Sequence, residues 1–274
     1  MDALGPAAFG TDAVDLSVRQ FREAWRLMCA GSVGFALDES EGVDYVFSGI
    51  PISFFNVALV TGHDLSGEAL QAHGRLACAR ASHEGVPWLF FVTHEGLRKN
   101  VDAAAVLDGC GLVKVLPMTG MLANRVAPPV RVPDGLHLSV PHDDTGCSAM
   151  IDVNSAAYGM DLHAAKSAIG THRFWQSHVP VLGVVGDKPA ASAAVMMVDG
   201  FRYVALVATH PAHQRRGYAD AAMRHALAVA AEAHGERPTF LHATDAGRPV
   251  YARMGYAPVS THTAFIEKRF LEDH

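Results

Sequence analysis

One stretch of the sequence constrains the fold more than any other. An apolar run ends at Thr209, a loop continues to Gly217, and a long Ala-rich run follows. This pattern predicts a strand, a tight loop and a helix, in that order. Such a loop directs several backbone N–H groups and the positive end of the helix dipole toward one point, where a phosphate could bind. Gly217 permits close backbone approach, and Ala219 leaves the first helical turn uncrowded.

The composition favours a compact folded protein. The chain has 274 residues, of which 50% are hydrophobic and 18% are charged, and this length can bury one large core or two modest ones. The formal net charge of −6 gives no electrostatic reason to expect nucleic acid or an anionic membrane as a partner. We therefore expect a protein that binds neither.

Cysteine usage and the N-terminus predict a cytoplasmic location. The four cysteines match no metal-binding spacing and no redox pair; they are Cys29, Cys78, Cys110 and Cys147. Two disulfides are arithmetically allowed, but no signal peptide supports them, since Met1–Pro6 lacks a basic region followed by an apolar one. The uncharged stretch Tyr45–Val60 is interrupted by glycine and proline, so it predicts two strands and a turn rather than a membrane span.

Strand-like and helix-like segments alternate through both halves of the chain. In the first half, helices are predicted at Ser17–Ala30, Leu65–Glu84 and Leu97–Leu107, and strands at Ser32–Leu37, Asp44–Ser48, Phe54–Val60, Trp88–Thr93 and Leu112–Leu116. In the second half, strands are predicted at Leu136–Val140, Val179–Val185, Pro189–Val198, Phe201–Thr209 and Thr239–Ala243, and helices at Ser148–Tyr158, Leu162–Ser177, after the loop to His234, and at Gly247–Met254. The alternation predicts α/β or α+β packing, with a sheet covered by helices.

A proline-rich connector, Val126–Gly135, separates the two halves. It is short and stiff, which is typical of a junction between two folded units. We therefore predict one domain over residues 1–130 and a second over residues 136–274.

A second pattern lies downstream of the loop. The strand ending at Thr244 leads into a short helix in which Tyr251 falls one turn before Gly255, a residue suited to end that helix. A tyrosine there can project toward the sheet, and its phenol, with an unperturbed pKa of about 10, can donate a proton to a departing thiolate. The alternative is a tyrosine that only packs against the sheet.

The C-terminal domain resembles the GCN5-related N-acetyltransferase (GNAT) family, on two motifs. Gln214-x-x-Gly217-x-Ala219 is similar to the family's Gln/Arg-x-x-Gly-x-Gly/Ala loop, and Tyr251-x-x-x-Gly255-Tyr256 to its Tyr-x-x-x-Gly-Phe/Tyr signature. Both occur in order on the predicted strand–loop–helix–strand–helix scaffold. The resemblance implies an α+β (α/β-like) fold with a mixed sheet flanked by helices.

The resemblance further implies direct transfer of an acetyl group from acetyl-CoA, used as a co-substrate without a metal, to a primary amine of a small molecule or peptide. Tyr251 would be catalytic and would protonate the leaving coenzyme A thiolate. The implied cofactor-binding residues are Val207, Ala208 and Thr209 in the strand, Gln214, Arg215, Arg216, Gly217, Tyr218 and Ala219 in the loop, and Thr244, which occupies a position where the family often has asparagine.

The general base stays open at the level of sequence. Many family members carry a glutamate on or near the strand before the loop, but Arg202–Val207 contains none. His242, His210, Tyr203 and a base acting through water are the candidates. The missing glutamate and asparagine also keep a second hypothesis open, a non-catalytic acyl-CoA-binding regulatory module, and an acyltransferase that uses a longer acyl chain is a third.

The N-terminal half is similar to a degenerate copy of the same domain. The segment Asn100–Leu112 can be aligned in sequence with Thr244–Tyr256, and Leu107 then corresponds to Tyr251. The segment before its long helix, Val60–Glu68, lacks the loop motif and carries acidic groups that would repel pyrophosphate. We therefore expect two GNAT-type mixed sheets, of which only the C-terminal one is catalytic, in a chain that could form a homodimer.

Overall fold

A computed structural model describes residues 11–40 and 42–273; the N-terminal Met1–Pro6 segment lies outside them. The chain forms two compact units. The first contains the described residues up to Met121, together with His242–Pro249 and those from Ala257 onward. The second contains Leu122–Leu241 and Val250–Tyr256. Both units are discontinuous in sequence, because the end of the chain returns to the first one; the domain boundaries at 130 and 136 stay a prediction.

The first unit is a mixed sheet with helices. Its helices are α1 (Thr11–Cys29), α2 (Gly67–Ala81) and α3 (Ala103–Asp108), and its strands are β1 (Ala36–Ser40), β2 (Val43–Phe47), β3 (Asn56–Val60), β4 (Leu89–Thr93), β5 (Leu112–Ala123, whose last two residues fall in the second unit) and the last strand of the chain, β11 (Ala257–Glu267). The strand order is β1-β2-β3-β4-β11-β5. The pair β3/β4 is parallel, whereas β1/β2, β2/β3 and β4/β11 are antiparallel.

The strands β2, β3 and β4 form the buried interior of this sheet. Every residue of these three strands is buried, as expected for strands covered on both faces. On one face, Phe90 joins a core that includes Leu70 and Ala77 of α2. On the other face, Phe21 of α1 packs on Phe91, with ring centroids 4.7 Å apart. Because neighbouring residues of a strand point to opposite faces, α1 and α2 cover opposite faces of the sheet.

The second unit is also a mixed sheet with helices. Its elements are β6 (Leu136–Ser139), α4 (Asp144–Tyr158), α5 (Leu162–Ile169), α6 (His172–Trp175), β7 (Val179–Val185), β8 (Lys188–Val198), β9 (Phe201–Thr209), α7 (Tyr218–His234), β10 (Thr239–Thr244, whose second half falls in the first unit) and α8 (Arg248–Arg253). The strand order is β10-β9-β8-β7-β6, with β9/β10 parallel and the other pairs antiparallel. The predicted α+β class with a mixed sheet flanked by helices is confirmed. Among the described residues, no helix combines the length and apolar character needed to cross a membrane.

Some predicted boundaries were wrong, each for a local reason. α1 begins at Thr11 rather than at Ser17, so Ser17 is a buried residue of the helix interior. The helix predicted over Leu97–Leu107 begins only at Ala103, because the Asp102 side chain accepts hydrogen bonds from the first-turn amides and caps it there. The single helix predicted over Leu162–Ser177 is two short helices separated at Gly170.

The same order of elements occurs twice along the chain. The series β3-α2-β4-α3-β5 and the series β9-α7-β10-α8-β11 contain the same types of element in the same order. Leu107 lies in α3, where it is fully buried, and Tyr251 lies in α8, the corresponding helix of the second series. This repetition supports the internal similarity inferred from the two helical segments.

A buried polar cluster, the histidine–serine network, joins four elements of the first unit. It consists of Ser17, Thr93, His242, Ser260 and His262. The Ser17 and Ser260 hydroxyls are 2.6 Å apart, and His262 Nε2 lies 2.7 Å from the Ser260 hydroxyl. His262 Nδ1 reaches the Thr93 hydroxyl at 3.0 Å, and His242 Nε2 reaches the Ser17 hydroxyl at 3.0 Å. Each polar group is thereby satisfied inside the core, as burial requires.

Gly120 of β5 makes room for this network. A Cβ at position 120 would overlap the hydroxyl oxygens of both Ser17 and Ser260. We expect Gly120→Ala to lower the free energy of unfolding by about 1–3 kcal/mol, because these hydroxyls are buried and cannot move without losing hydrogen bonds. Gly31→Ala is the control, since no atom lies within 4 Å of a Cβ built there. Urea denaturation that found the two variants equally stable would contradict this account.

Burial lowers the pKa of His262 from 6.5 to about 3, with a further contribution from His94. The folded protein therefore keeps His262 neutral, whereas the unfolded chain takes up a proton as the pH falls below about 6.5. Its contribution to stability is complete above that pH and is lost as the pH falls toward 3, at about 1.4 kcal/mol per pH unit. Denaturant titrations between pH 4 and 6.5 should show a shallower dependence in His262→Gln; an unchanged slope would show that His262 does not titrate in this way.

Candidate functional site

The site is built where β9 separates from β10. In the described structure, the two strands form only two parallel residue pairs, Thr239 with Arg202 and Phe240 with Tyr203. The remainder of β9, up to Thr209, continues without further pairing to β10. Backbone groups on that edge of β9 are therefore available to a ligand, since a strand edge presents unpaired N–H and C=O groups.

A β-bulge deflects β9 immediately beyond this point. Opposite β8, Ala205 pairs with Ala194 and Ala208 with Ser192, so two residues of β9 face one residue of β8. One of the two bulged residues, Leu206, has φ +51°, a left-handed conformation that costs a non-glycine residue about 1–2 kcal/mol. Bulges and strained backbone are concentrated near functional sites. The bulge includes Val207, the first residue of the predicted cofactor-binding strand.

Two side-chain hydroxyls donate hydrogen bonds to the carbonyl groups of the bulged residues. The Ser192 hydroxyl donates to the Leu206 carbonyl at 3.2 Å, and the Tyr158 hydroxyl donates to the Val207 carbonyl. Asn154 Nδ2 donates in turn to the Ser192 hydroxyl at 2.8 Å. Sequence reasoning missed all three residues. The available signal was the i, i+4 spacing of Asn154 and Tyr158, which places two polar side chains on one face of a predicted helix.

The loop before α7 has the features of an anion site. Gln214 to Gly217 are exposed, and Arg215 and Gly217 have φ values of +65° and +83°. Gly217 is the N-cap of α7, a helix of 17 residues, and no described side chain caps that end. The first N–H groups of α7 and its positive dipole end thus face a loop that carries two exposed guanidinium groups, Arg215 and Arg216. These residues fit a diphosphate group.

Tyr251 of α8 belongs to a group of three tyrosines in the second unit. Its ring centroid lies 6.1 Å from that of Tyr256, and burial, with the nearby Tyr158 and Tyr256 phenols, raises the pKa of Tyr251 well above its usual value. The Tyr256 hydroxyl is held by Thr239 Oγ1 at 2.7 Å, whereas the Tyr251 hydroxyl forms no hydrogen bond to another described residue. Tyr251 is therefore a protonated phenol with a free donor at physiological pH.

Tyr158 combines an exposed ring with a covered hydroxyl. The residue is 54% exposed, yet burial of its hydroxyl raises the pKa of Tyr158 to about 12. It contacts the Val207 carbonyl and lies near enough to Tyr251 to influence that residue's pKa. Tyr158 is thus the link by which the bulged strand and Tyr251 come together.

The remaining predicted residues have structural partners. Thr244 falls in the first unit, where its hydroxyl accepts a hydrogen bond from the Gly247 amide at 3.3 Å. His242 is part of the histidine–serine network, and burial lowers its pKa well below 6.5. Burial raises the pKa of Tyr203, which disfavours the phenolate that a base requires. His210 Nδ1 accepts from the Ala212 amide at 3.3 Å.

The corresponding region of the first unit is closed. Its parallel strands β3 and β4 form three residue pairs, and beyond them Leu65 and Leu97 form a further bridge. That bridge is held by hydrogen bonds from the Leu65 amide to the Gly96 carbonyl and from the Arg98 amide to the Leu65 carbonyl, both 3.0 Å. The start of α2 is also capped by the Ser66 hydroxyl. Backbone groups that remain open in the second unit are therefore already bonded here.

The described cysteines are all free. Within residues 11–40 and 42–273, no group of three or more histidine, cysteine, aspartate or glutamate side chains could hold a metal ion.

Comparisons with known proteins identify a family that part of the chain matches. The model of the acetyltransferase (GNAT) family matches residues 149–256, the segment that contains the bulge, the loop and Tyr251. No curated protein sequence matches the chain significantly.

Solved structures extend the likeness of fold beyond the matched segment. A GCN5-related N-acetyltransferase from Kribbella flavida is similar with a TM-score of 0.69 and 18% identity, over 94% of this chain and 98% of that one. A GCN5-related N-acetyltransferase from Sphaerobacter thermophilus has a TM-score of 0.57 and 14% identity, over 96% and 93%. A tandem GNAT protein from the clavulanic acid biosynthesis pathway has a TM-score of 0.52 and 13% identity, over 96% of both chains. Residues 149–256 therefore form a domain of the acetyltransferase (GNAT) family, and the described chain has the GNAT fold.

Proposed function

We propose that the second unit transfers an acetyl group from acetyl-CoA to a primary amine of a small molecule or peptide. The observation that carries the proposal is the combination, within one unit, of an open bulged strand, an uncapped helix N-terminus and a protonated phenol. Each corresponds to one part of the donor: the thioester arm, the diphosphate and the leaving thiol. The first unit would have a structural or substrate-shaping role.

The diphosphate of coenzyme A would bind the loop from Gln214 to Ala219. Amide N–H groups at the start of α7 would donate to its oxygens, and the helix dipole would favour its negative charge. Arg215 and Arg216 are exposed on the same loop and would add charge-assisted hydrogen bonds. Tyr218 is buried and would hold the start of the helix rather than contact the ligand through its ring.

The thioester arm would lie along β9 from Val207 to Thr209. Because β10 has separated from β9, this edge offers backbone donors and acceptors to the pantetheine amides. The Val207 carbonyl accepts the Tyr158 hydroxyl in the structure, so the tyrosine would have to release it before a pantetheine amide could bond there. Thr244, on β10, would be a further contact, although its hydroxyl already serves the turn at Gly247.

The chemistry would be direct attack. The amine nitrogen forms a bond to the thioester carbonyl carbon, the C–S bond breaks, and the sulfur leaves as a thiolate that Tyr251 protonates or stabilises by a hydrogen bond. The raised pKa of Tyr251 keeps the phenol protonated, so its hydroxyl can donate a hydrogen bond to the sulfur as negative charge develops there. The proton released by the amine would pass to a base, directly or through a water molecule.

Replacing Tyr251 by phenylalanine tests the leaving-group role. We expect Tyr251→Phe to lower kcat by about 10²-fold or more, the typical contribution of an acid in proton transfer, while the affinity for coenzyme A measured by calorimetry stays nearly unchanged. Tyr256→Phe is the matched control, because its hydroxyl bonds Thr239; this variant should lose stability and retain turnover. Equal turnover of Tyr251→Phe and the wild type would remove Tyr251 from the mechanism.

The number of coenzyme A molecules bound tests which unit takes the donor. We expect one per chain by isothermal titration calorimetry, since the equivalent strand pair of the first unit is closed at Leu65 and Leu97. Ala219→Asp, which places a carboxylate at the start of α7, should weaken binding by about 10-fold or more through repulsion of the diphosphate. Ala228→Asp, on an exposed position of the same helix, is the control.

Two molecules of coenzyme A per chain would contradict a single donor site. Tight binding of acetyl-CoA without acetyl transfer to any of a panel of amines (spermidine, kanamycin and a lysine peptide) would favour the non-catalytic regulatory module instead.

A further inference from the structure

Three side chains contact the bulge of β9 directly or through one another, and none of them belongs to the predicted site. Ser192 lies on β8, and Asn154 and Tyr158 lie one turn apart on α4. Ser192 and Asn154 are fully buried. The Ser192 and Tyr158 hydroxyls donate to the carbonyls of the two bulged residues, Leu206 and Val207, and Asn154 donates to the Ser192 hydroxyl.

Donor and acceptor can be assigned for each hydrogen bond that runs from Asn154 through Ser192 to the Leu206 carbonyl. Asn154 Nδ2 donates to the Met150 carbonyl at 3.0 Å and to the Ser192 hydroxyl at 2.8 Å. Because the Ser192 oxygen accepts from an amide, its own hydrogen is left for the Leu206 carbonyl, 3.2 Å away. A carbonyl held in this way, on a residue with φ +51°, fixes the orientation of the peptide group that follows it.

That orientation bears on the thioester, and this step rests on the proposed function. If Val207 to Thr209 bind the thioester arm, the peptide groups just after Leu206 set where the reacting carbonyl lies. We propose that Asn154 and Ser192 are positioning residues for acyl transfer, which hold the bulge in the conformation that aligns the thioester. They touch neither the donor nor the amine, and they act only through the backbone of Leu206.

This role predicts a separation of turnover from affinity. Most of the donor's binding would come from the diphosphate at the loop before α7, which the Asn154–Ser192 pair does not contact. Misplacement of a reacting group by about 1 Å can reduce the rate by roughly 10²-fold. Loss of the pair should therefore lower kcat and leave the dissociation constant of coenzyme A within about threefold of the wild-type value.

The experiment compares Ser192→Ala with Ser155→Ala. Both changes delete one buried hydroxyl, but Ser155 Oγ has no hydrogen-bond partner among the described residues, so its loss leaves the bulge intact. The readouts are kcat for the best amine of the panel, calorimetric affinity for coenzyme A, and the ¹³C resonance of the thioester carbonyl in bound [1-¹³C]acetyl-CoA. We expect Ser192→Ala to lower kcat by about 10-fold to 100-fold and to shift the carbonyl resonance toward its free value, and Ser155→Ala to change neither.

Asn154→Ala gives the same test if Ser192→Ala folds poorly. It removes the group that orients the Ser192 hydroxyl, together with a hydrogen bond to the Met150 carbonyl within α4, and it leaves the Ser192 hydroxyl in place. A smaller change of the same kind is therefore expected in both kcat and the ¹³C resonance. Normal turnover and an unshifted resonance in Ser192→Ala or, where that variant does not fold, in Asn154→Ala, alongside an active wild type, would overturn the positioning role alone. Failure of the wild-type protein to bind acetyl-CoA would instead overturn the proposed function, and the positioning role with it.

Discussion

The separation of β9 from its parallel neighbour is the constraint on which the second unit depends. A strand that leaves its partner exposes backbone groups, and these must find other hydrogen bonds when they are buried. On the opposite side of β9 a bulge interrupts the pairing with β8, and the carbonyls of Leu206 and Val207 accept hydrogen bonds from the hydroxyls of Ser192 and Tyr158 instead. The packing of α4 on the sheet, the strained backbone of β9 and the opening beside it are therefore parts of a single arrangement. A change in any of the three would be felt by the other two.

The two series of elements show how one order of strands and helices gives opposite results. In the first unit the chain after β3 forms a bridge through Leu65 and Leu97, and the start of α2 is capped by a serine hydroxyl. In the second unit the corresponding helix begins at Gly217 without a side-chain cap. The first unit instead places its polar groups in the histidine–serine network, where His262 stays neutral because it is buried. The polar groups of that network are hydrogen-bonded to one another inside the core.

Three tyrosines of the second unit illustrate how partners, rather than residue type, separate structural from chemical roles. Burial raises the pKa of all three, so each stays protonated. The Tyr256 hydroxyl forms a hydrogen bond with Thr239, and the Tyr158 hydroxyl donates to the Val207 carbonyl. Of the three hydroxyls, that of Tyr251 forms no hydrogen bond to another described residue. The motif that contains Tyr251 and Tyr256 names both residues, but only their hydrogen bonds distinguish them.

The sequence by itself determined the element types, the strand–loop–helix at Gly217 and the likeness to GNAT domains, because hydrophobic period and glycine placement act over a few residues. The strands β3 and β4 could be predicted from their largely apolar sequences. Only the tertiary structure decided that the last strand joins the first unit, that Ser17 lies inside a helix, and that Asn154 and Ser192 meet at a bulge in β9. These features depend on residues distant in sequence that satisfy one another's buried polar groups. A local sequence pattern cannot predict such pairings, because the two partners of each hydrogen bond are brought together only by the fold.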